Sequence, residues 1–381
     1  VERLTLEPRP GWRDAVSELG LLWHSDAENP YWDESACYAF TLDQIETLED
    51  ASETVHALFV EAGARIATDD RLLAACGVPQ PYRKAVREAW QRRDCALDFG
   101  RFDFAWDGTG APRLLEYNCD TPTSLLEASI VQWYWKEDVF PALDQFNSLH
   151  EKLIERWQQI APALAGRRVW FTHFNDEAHE DTMTTTYMRD LAQQAGLETH
   201  GLLIDQIGID AEGRIVDQDD GLISALFKLY PWEWMAEEAF GQQILPHIAD
   251  TVWLEPVWKM MWSNKAVLAI LWDMFPGHPN LLPATLDPRM VAGDFVSKPV
   301  LSREGANIEV VVGGEVIASS GGSYARDRLV YQQRYPLRDF GRGYPVLGSW
   351  IVGGKAAGLG IREDGLITGN AARFVPHIIR N

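Results

Sequence analysis

The sequence predicts a mixed α/β (α+β) chain in which a small parallel α/β domain is embedded between largely antiparallel segments. Three observations carry that expectation. Residues 11–99 read as mostly helical, strand-like and helix-like segments alternate over roughly 165–256, and hairpin signatures stand on both sides of that stretch. The expected division is a helical region plus hairpin over 1–150, a small parallel domain over 151–258, and further antiparallel lobes over 259–381.

The first long helix is expected in TLDQIETLEDASETVHALFVEAGARIA, where Ile45, Leu48, Val55, Leu58 and Phe59 recur at helical spacing. Thr41 or Asp43 is placed to cap it. A second helical stretch covers 80–94 and includes Val86, Ala89 and Trp90. The texture changes at residue 99: FGRFDFAW and RLLEYN flank the turn-forming DGTGAP, which signals a β-hairpin. An aromatic-rich helix is expected over about 124–146. Then RVWFTHF reads as a strand, DTMTTTYMRDLAQQAG as a helix, ETHGLLIDQI and SALFKLYP as strands, EWMAEEAFGQQILPHI as a helix and TVWLEP as a strand. After a helix over 265–275, DFVSKP, NIEVVVGGEVIAS, RLVYQQRY and GSWIVGGKAAGLGIRED read as antiparallel strands.

A length of 381 residues suggests two or three packed lobes, and a hydrophobic fraction of 46% is ordinary for a folded chain. The longest apolar runs, such as 266-AVLAILW-272, fall far short of the roughly 18 residues a membrane span needs. The opening VERLTLEPRPGW lacks the pattern of a signal peptide, so a cytoplasmic location is expected. A net charge of −22 repels phosphate backbones and argues against nucleic acid as a partner. A nucleotide site on such a chain must concentrate its cations locally and recruit a metal. Cys37, Cys76, Cys95 and Cys119 lack C-x-x-C spacing and read as reduced thiols. The histidines show no metal spacing, His173 and His179 being six apart on an expected loop, and the 16 tryptophans read as core and lobe-contact residues. No G-x-G-x-x-G, Walker A, Ser–His–Asp or G-x-S-x-G signal is present.

The most informative stretch is 99-FGRFDFAWDGTGAPRLLEYNCDTPTS-124. A turn centred between Thr109 and Gly110 pairs Asp103 with Glu116 and Arg101 with Asn118. Phe102, Phe104, Leu115 and Tyr117 would then share the opposite, apolar face. Two carboxylates directly across from each other repel, and a divalent cation between them reverses that sign. Two carboxylates plus an amide form an oxygen set suited to magnesium. Arg101 beside them can neutralise charge on a moving phosphoryl group. The alternative is a solvated polar face on a surface hairpin.

Three further cations stand out. In 294-DFVSKPVLSREGANIEV-310, Lys298 ends a strand, and a loop with Ser302, Arg303 and Gly305 can fold over phosphates. Lys265 is placed in the first turn of a helix capped by Ser263 or Asn264, where a cation opposes the macrodipole and hints at a ligand anion. Arg362 sits at a strand end in GIREDG.

These residues match a known pattern. YWDESACYAF, RFDF with LEYNCDTPTS, LYPWEWM, EPVWKMMWSNKAVL, VSKPVLSREGANIEV, VYQQRYPL and GSWIVGGKAAGLGIRED together resemble the synthetase domain of the glutathionylspermidine synthase family, over nearly the whole chain. The resemblance implies an ATP-grasp fold with an embedded α/β domain, and an ATP- and Mg2+-dependent ligase that joins a glutathione-like acid to a polyamine-like amine through an acyl phosphate. It implies that Asp103, Glu116 and Asn118 hold Mg2+ and that Arg101 stabilises phosphoryl transfer. Lys265 and Lys298 are similar to lysines on the phosphate and adenine side, 332-QQRY-335 (Gln332, Gln333, Tyr335) to the hinge at the adenine edge, and the loop of Arg303 and Gly305 to the lid. Arg362 aligns with an arginine at the acid site, Thr121 and Thr123 with hydroxyl contacts to glutathione, and Glu180 and Asp181 with an acidic pair suited to an amine. The segment 228-KLYPWEW-234 departs from K-T-W-A-W-E and loses a hydroxyl at Leu229. Two other classes stay open beside the ligase: an ATP-binding sensor or scaffold without turnover, and a metal-dependent phosphohydrolase.

Overall fold

The computed structural model describes residues 1–25, 30–176, 180–324 and 328–380; His179 lies outside them. The longer elements, in chain order, are β1 (Glu2–Thr5), β2 (Ala36–Phe40), α1 (Leu42–Thr68), the hairpin β3 (Phe99–Ala105) and β4 (Arg113–Asn118), and α2 (Leu149–Leu164). Then come β5 (Val169–His173), α3 (Glu180–Gln194), β6 (Thr199–Leu203), β7 (Ala225–Leu229), β8 (Val252–Leu254) and α4 (Val267–Met274). The last third holds β9 (Phe295–Pro299), β10 (Glu309–Val312), β11 (Glu315–Ser319), β12 (Leu329–Gln333), β13 (Tyr344–Val352), β14 (Lys355–Asp364) and β15 (His377–Ile379).

Strands β8, β7, β5 and β6 form a parallel sheet in that order, as the strand–helix alternation predicts. The two five-stranded sheets are antiparallel. One runs Arg373–Phe374, β14, β13, β3, β4, so the early hairpin is extended by strands more than two hundred residues later. The other runs Ala284–Thr285, β12, β9, β10, β11. Among the described residues no helix is long and apolar enough to cross a membrane.

Helix α1 starts where capping chemistry places it: Thr41 and Gln44 form a reciprocal capping box. Its buried face carries Ile45, Leu48, Val55 and Phe59. Phe59 packs on the hairpin, where Phe102 and Tyr117 stack with centroids 4.0 Å apart. That aromatic contact turns the polar face of β3 and β4 away from the helix.

Several expectations need correction. Strand β2 falls inside the stretch read as helical; all five of its residues are buried, so no period-2 alternation marks it. The helix expected over 124–146 is a π-helical turn, Glu127–Val131, followed by Gln132–Val139, and it stops before Pro141. The helix expected over 233–248 is broken into Trp232–Glu237 and Ala239–Ile244. Helix α4 begins at Val267, so Lys265 precedes it; Asn264 Oδ1 accepts from Ala266 N at 2.9 Å. Lys265 therefore stands just ahead of the first turn, still at the positive end of the helix dipole.

Candidate active site

The hairpin register matches the expected one at the positions that matter. Arg101 lies opposite Asn118, and Asp103 opposite Glu116. The register then slips between Asp103 and Phe104, so Phe104 faces Leu114. This bulge exchanges the two leucines: Leu114 is buried in the core and Leu115 faces the cleft, contrary to the apolar face expected for Leu115. The polar face is not a solvated surface. Arg101 and Asp103 are 5% and 2% exposed and line a cleft of about 290 Å³.

Side chains converge there tightly. Arg101 donates from Nε to Asp103 Oδ1 at 2.7 Å and from Nη1 to the Thr123 carbonyl at 2.7 Å. Arg362, on β14, donates to Asp103 Oδ2 at 2.6 Å. The Asn118 amide reaches Asp103 Oδ2 at 3.1 Å and Glu116 Oε1 at 3.3 Å. Gly348, paired with Asp103 on β13, leaves room for Arg101: a Cβ there would sit 2.6 Å from Arg101 Cδ. Asp103, Glu116 and Asn118 thus come together with the Asn118 Nδ2 between the two carboxylates, and a flip of that amide would turn its oxygen to the same point. That donor set fits a hard divalent cation.

The second wall comes from the β9–β12 sheet. Lys265 Nζ is 3.3 Å from Glu116 Oε2 and donates to the Ser302 carbonyl at 2.6 Å. Lys298 donates to Gln332 Oε1 at 2.9 Å and to the Leu115 carbonyl at 3.1 Å, and Gln332 Nε2 donates to the Leu114 carbonyl at 2.9 Å. Burial opposes ionisation of Glu116, but Lys265, Lys298 and Arg362 outweigh it and hold the carboxyl well below its usual range. Burial, aided by Lys265, brings the Lys298 ammonium down to about 8 against the pull of Glu116. Two crowded ammonium groups favour an anion between them. Gln333 and Tyr335 line the same wall, beside apolar Leu115, Val296 and Val310.

Arg303 points elsewhere. It donates to Thr121 Oγ1 and, at 2.8 Å, to Glu233 Oε1, and its guanidinium stands 5.6 Å from the Trp234 ring. Arg303 therefore belongs to the Thr121 side of the cleft, while Gly305 of the same loop packs against Thr368. Gly305 has φ 67°, and a Cβ there would meet the Thr368 carbonyl at 2.4 Å. At this end Thr121, Thr123, Glu180 and Asp181 all line the cleft. Burial, then Asp176 and Glu180, pushes the Asp181 carboxyl up to about 7. Burial likewise raises Glu180, with Glu304 and Asp176 adding to it and Thr123 and Arg101 opposing. Such like-charge crowding is relieved by a cation. Leu229, Pro231 and Trp234 form an apolar patch beside it.

Sequence reasoning missed Tyr31 and Ser124, which line the cleft, and the buried pair Lys228–Asp120 at 2.7 Å behind it. Asp120 stands next to the recognised Glu116–Asn118 run, and that adjacency was the available signal. All of the expected site residues, Arg303 included, line the same cleft.

The comparisons with known proteins give the class of protein, an ATP-dependent ligase that joins a carboxylate to an amine. The family model for the "Glutathionylspermidine synthase preATP-grasp" region matches residues 3–380. The chain belongs to the glutathionylspermidine synthase family. It is 38% identical to the Haemophilus influenzae protein named "Putative acid--amine ligase", with 99% of each chain covered. It is 30% identical to the trypanothione synthetase of Crithidia fasciculata and 28% identical to the bifunctional glutathionylspermidine synthetase/amidase of Escherichia coli. It spans about half the length of those two, 53% and 56%. A glutathione synthetase-like effector from Globodera pallida shares the fold, with a TM-score of 0.58 over 97% of this chain and 95% of that one at 10% identity.

Proposed function

We propose that the chain uses ATP to phosphorylate a peptide-like carboxylic acid and then joins the acyl phosphate to a cationic, polyamine-like amine. The observation that supports this most is the polarity of one continuous cleft. It is lined by Arg101, Lys265, Lys298 and Arg362 around paired carboxylates, and by the acidic pair Glu180 and Asp181 as well. A carboxylate is a poor electrophile until activated, and a triphosphate and an ammonium need opposite surroundings.

In this reading Lys265 and Lys298 grip the phosphates, Gln332, Gln333 and Tyr335 hold the adenine edge, and Gly305 lets its loop approach. Asp103, Glu116 and Asn118 would hold magnesium, which when bound neutralises charge on the phosphoryl oxygens. Arg101 stabilises the transferring group and Arg362 orients the acid. Thr121, Thr123 and Arg303 hold the remainder of the acid, while Glu180 and Asp181 bind the amine. The division into 1–150, 151–258 and 259–381, and a cytoplasmic location, belong to the same reading.

The test is ADP release from purified protein with a panel of acids (glutathione, γ-glutamylcysteine, glycine-ending peptides) and amines (spermidine, putrescine, lysine). Amide products are checked by mass spectrometry and acyl phosphate by hydroxylamine trapping. ATP binding without turnover on any pair would leave a sensor or scaffold. ADP release that ignores the acid and yields no hydroxamate would leave a phosphohydrolase. Glu116→Gln should weaken magnesium dependence of ADP release at least about tenfold, the range that even outer-shell changes cause. An unchanged magnesium titration would remove Glu116 from the metal set.

A further inference from the structure

We infer that Tyr31 and Glu127 form the proton path that strips the incoming ammonium at the amine end of the cleft. The inference rests on the ligase reading above and supplies the proton acceptor that reading lacks. An ammonium has no lone pair, so attack on an acyl phosphate requires a base within reach. Tyr31 lines the cleft; Glu127 lies behind it and is 3% exposed. The Tyr31 hydroxyl donates to Glu127 Oε1 at 2.7 Å and lies 3.3 Å from Ser124 Oγ.

Three features separate Glu127 from a structural carboxylate. Among the described residues no lysine or arginine bonds it, and a buried carboxylate without a cation is costly. It opens the π-helical turn Glu127–Val131, a widening that tends to occur at functional sites. The chain enters that turn through Ser124 at φ 65°, an uncommon conformation for a serine. The fields that reach Glu127 come from Glu180 at the start of α3 and Arg101 on β3, both of which line the cleft. On the same turn Ser129 meets Tyr187, which His150 of α2 approaches at 3.0 Å. Burial, then Glu180, pushes the Glu127 carboxyl up to about 7. Burial raises Tyr31 well above its ordinary range, which suits a group that passes a proton on without staying ionised.

The step balances as follows. The ammonium gives a proton to Tyr31 Oη as the tyrosine passes its own to Glu127, leaving a neutral amine and a carboxylic acid. The nitrogen lone pair forms the C–N bond to the acyl carbon, and the C–O bond to phosphate breaks with its electron pair leaving on phosphate. The second nitrogen proton departs with that phosphate, and Glu127 returns its proton to water.

Hydroxylamine tests this because it is uncharged at neutral pH and needs no base. With the best acid and cationic amine of the panel, Tyr31→Phe and Glu127→Gln should each lower amide formation about 100-fold while hydroxamate formation stays within about threefold of the parent. The parent should lose kcat below about pH 7 with the amine but not with hydroxylamine, and Glu127→Gln should abolish that limb. Equal losses with both nucleophiles, or an unmoved pH limb in Glu127→Gln, would overturn the relay. A parent enzyme that makes no hydroxamate with any acid would instead sink the ligase reading, and the relay with it.

Discussion

Arg101→Ala should lower kcat by about 1,000-fold, or about 4 kcal/mol of transition-state stabilisation, and leave ATP binding within a few-fold of the parent. The reason is geometric. Arg101 is 5% exposed and its guanidinium is held on two sides, by Asp103 and by the Thr123 carbonyl, before any ligand arrives. A donor fixed in advance in a site shielded from water pays no reorganisation when charge develops on the phosphoryl oxygens. Its removal does not orphan Asp103, which keeps Arg362 and Asn118 as partners, so folding should survive. Arg101→Lys should not restore the rate, because a single ammonium cannot bond both sides as the planar fork does. Single-turnover formation of hydroxamate and ADP checks both variants. A rate within tenfold of the parent in Arg101→Ala would remove this residue from the chemistry.

The hairpin was legible because its apolar residues alternate. Phe102, Phe104 and Tyr117 can only face α1, which fixes Arg101 and Asp103 on the other side. The bulge beyond Asp103 was not legible, since Leu114 and Leu115 are equally apolar and either can be the buried one. Lys265 was legible beside the Asn264 cap, although the helix itself starts two residues later. It sits outside α4 because Asn264 adopts extended backbone, φ −92° and ψ 127°, and only then does the helix begin. Strand β2, buried on both faces, carries no alternation to read. The contact between Tyr31 and Glu127 joins positions 96 apart, and no local pattern encodes it. Pairings set by short-range alternation were visible; those set by how separate sheets meet were not.

Lys259→Met should cost about 3–5 kcal/mol of folding stability, the usual consequence of removing one partner from a buried ion cluster. Lys259 is 0% exposed and stands 3.0 Å from Asp98 Oδ1 and 3.2 Å from Glu255 Oε2. His56 of α1 meets the other oxygen of Asp98 at 2.9 Å, and the Asp98 backbone N–H donates to Glu255 at 3.1 Å. One ammonium therefore ties α1, the residue before β3 and the residue after β8. Burial opposes ionisation of Asp98, but Lys259 and His56 keep it well below its usual range; for Glu255 burial prevails over Lys259 and sets it at about 7. Without the lysine, burial raises Glu255 further above its unfolded value, and Asp98 is left with His56 alone to oppose burial. Groups raised in this way stabilise below the unfolded pKa and lose that contribution as pH rises through the folded one. The deficit should therefore be smallest near pH 5 and largest near pH 8, and adding Glu255→Gln should recover part of it by removing one unpaired charge. Urea denaturation of the single and double variants at both pH values reads the effect, and a single variant within about 1 kcal/mol of the parent at pH 8 would contradict it. Because Asp98 leads directly into the strand that carries Arg101 and Asp103, the same variant should also lose turnover well below its melting temperature. A displacement of about 1 Å at the reacting groups is enough to cost 100-fold.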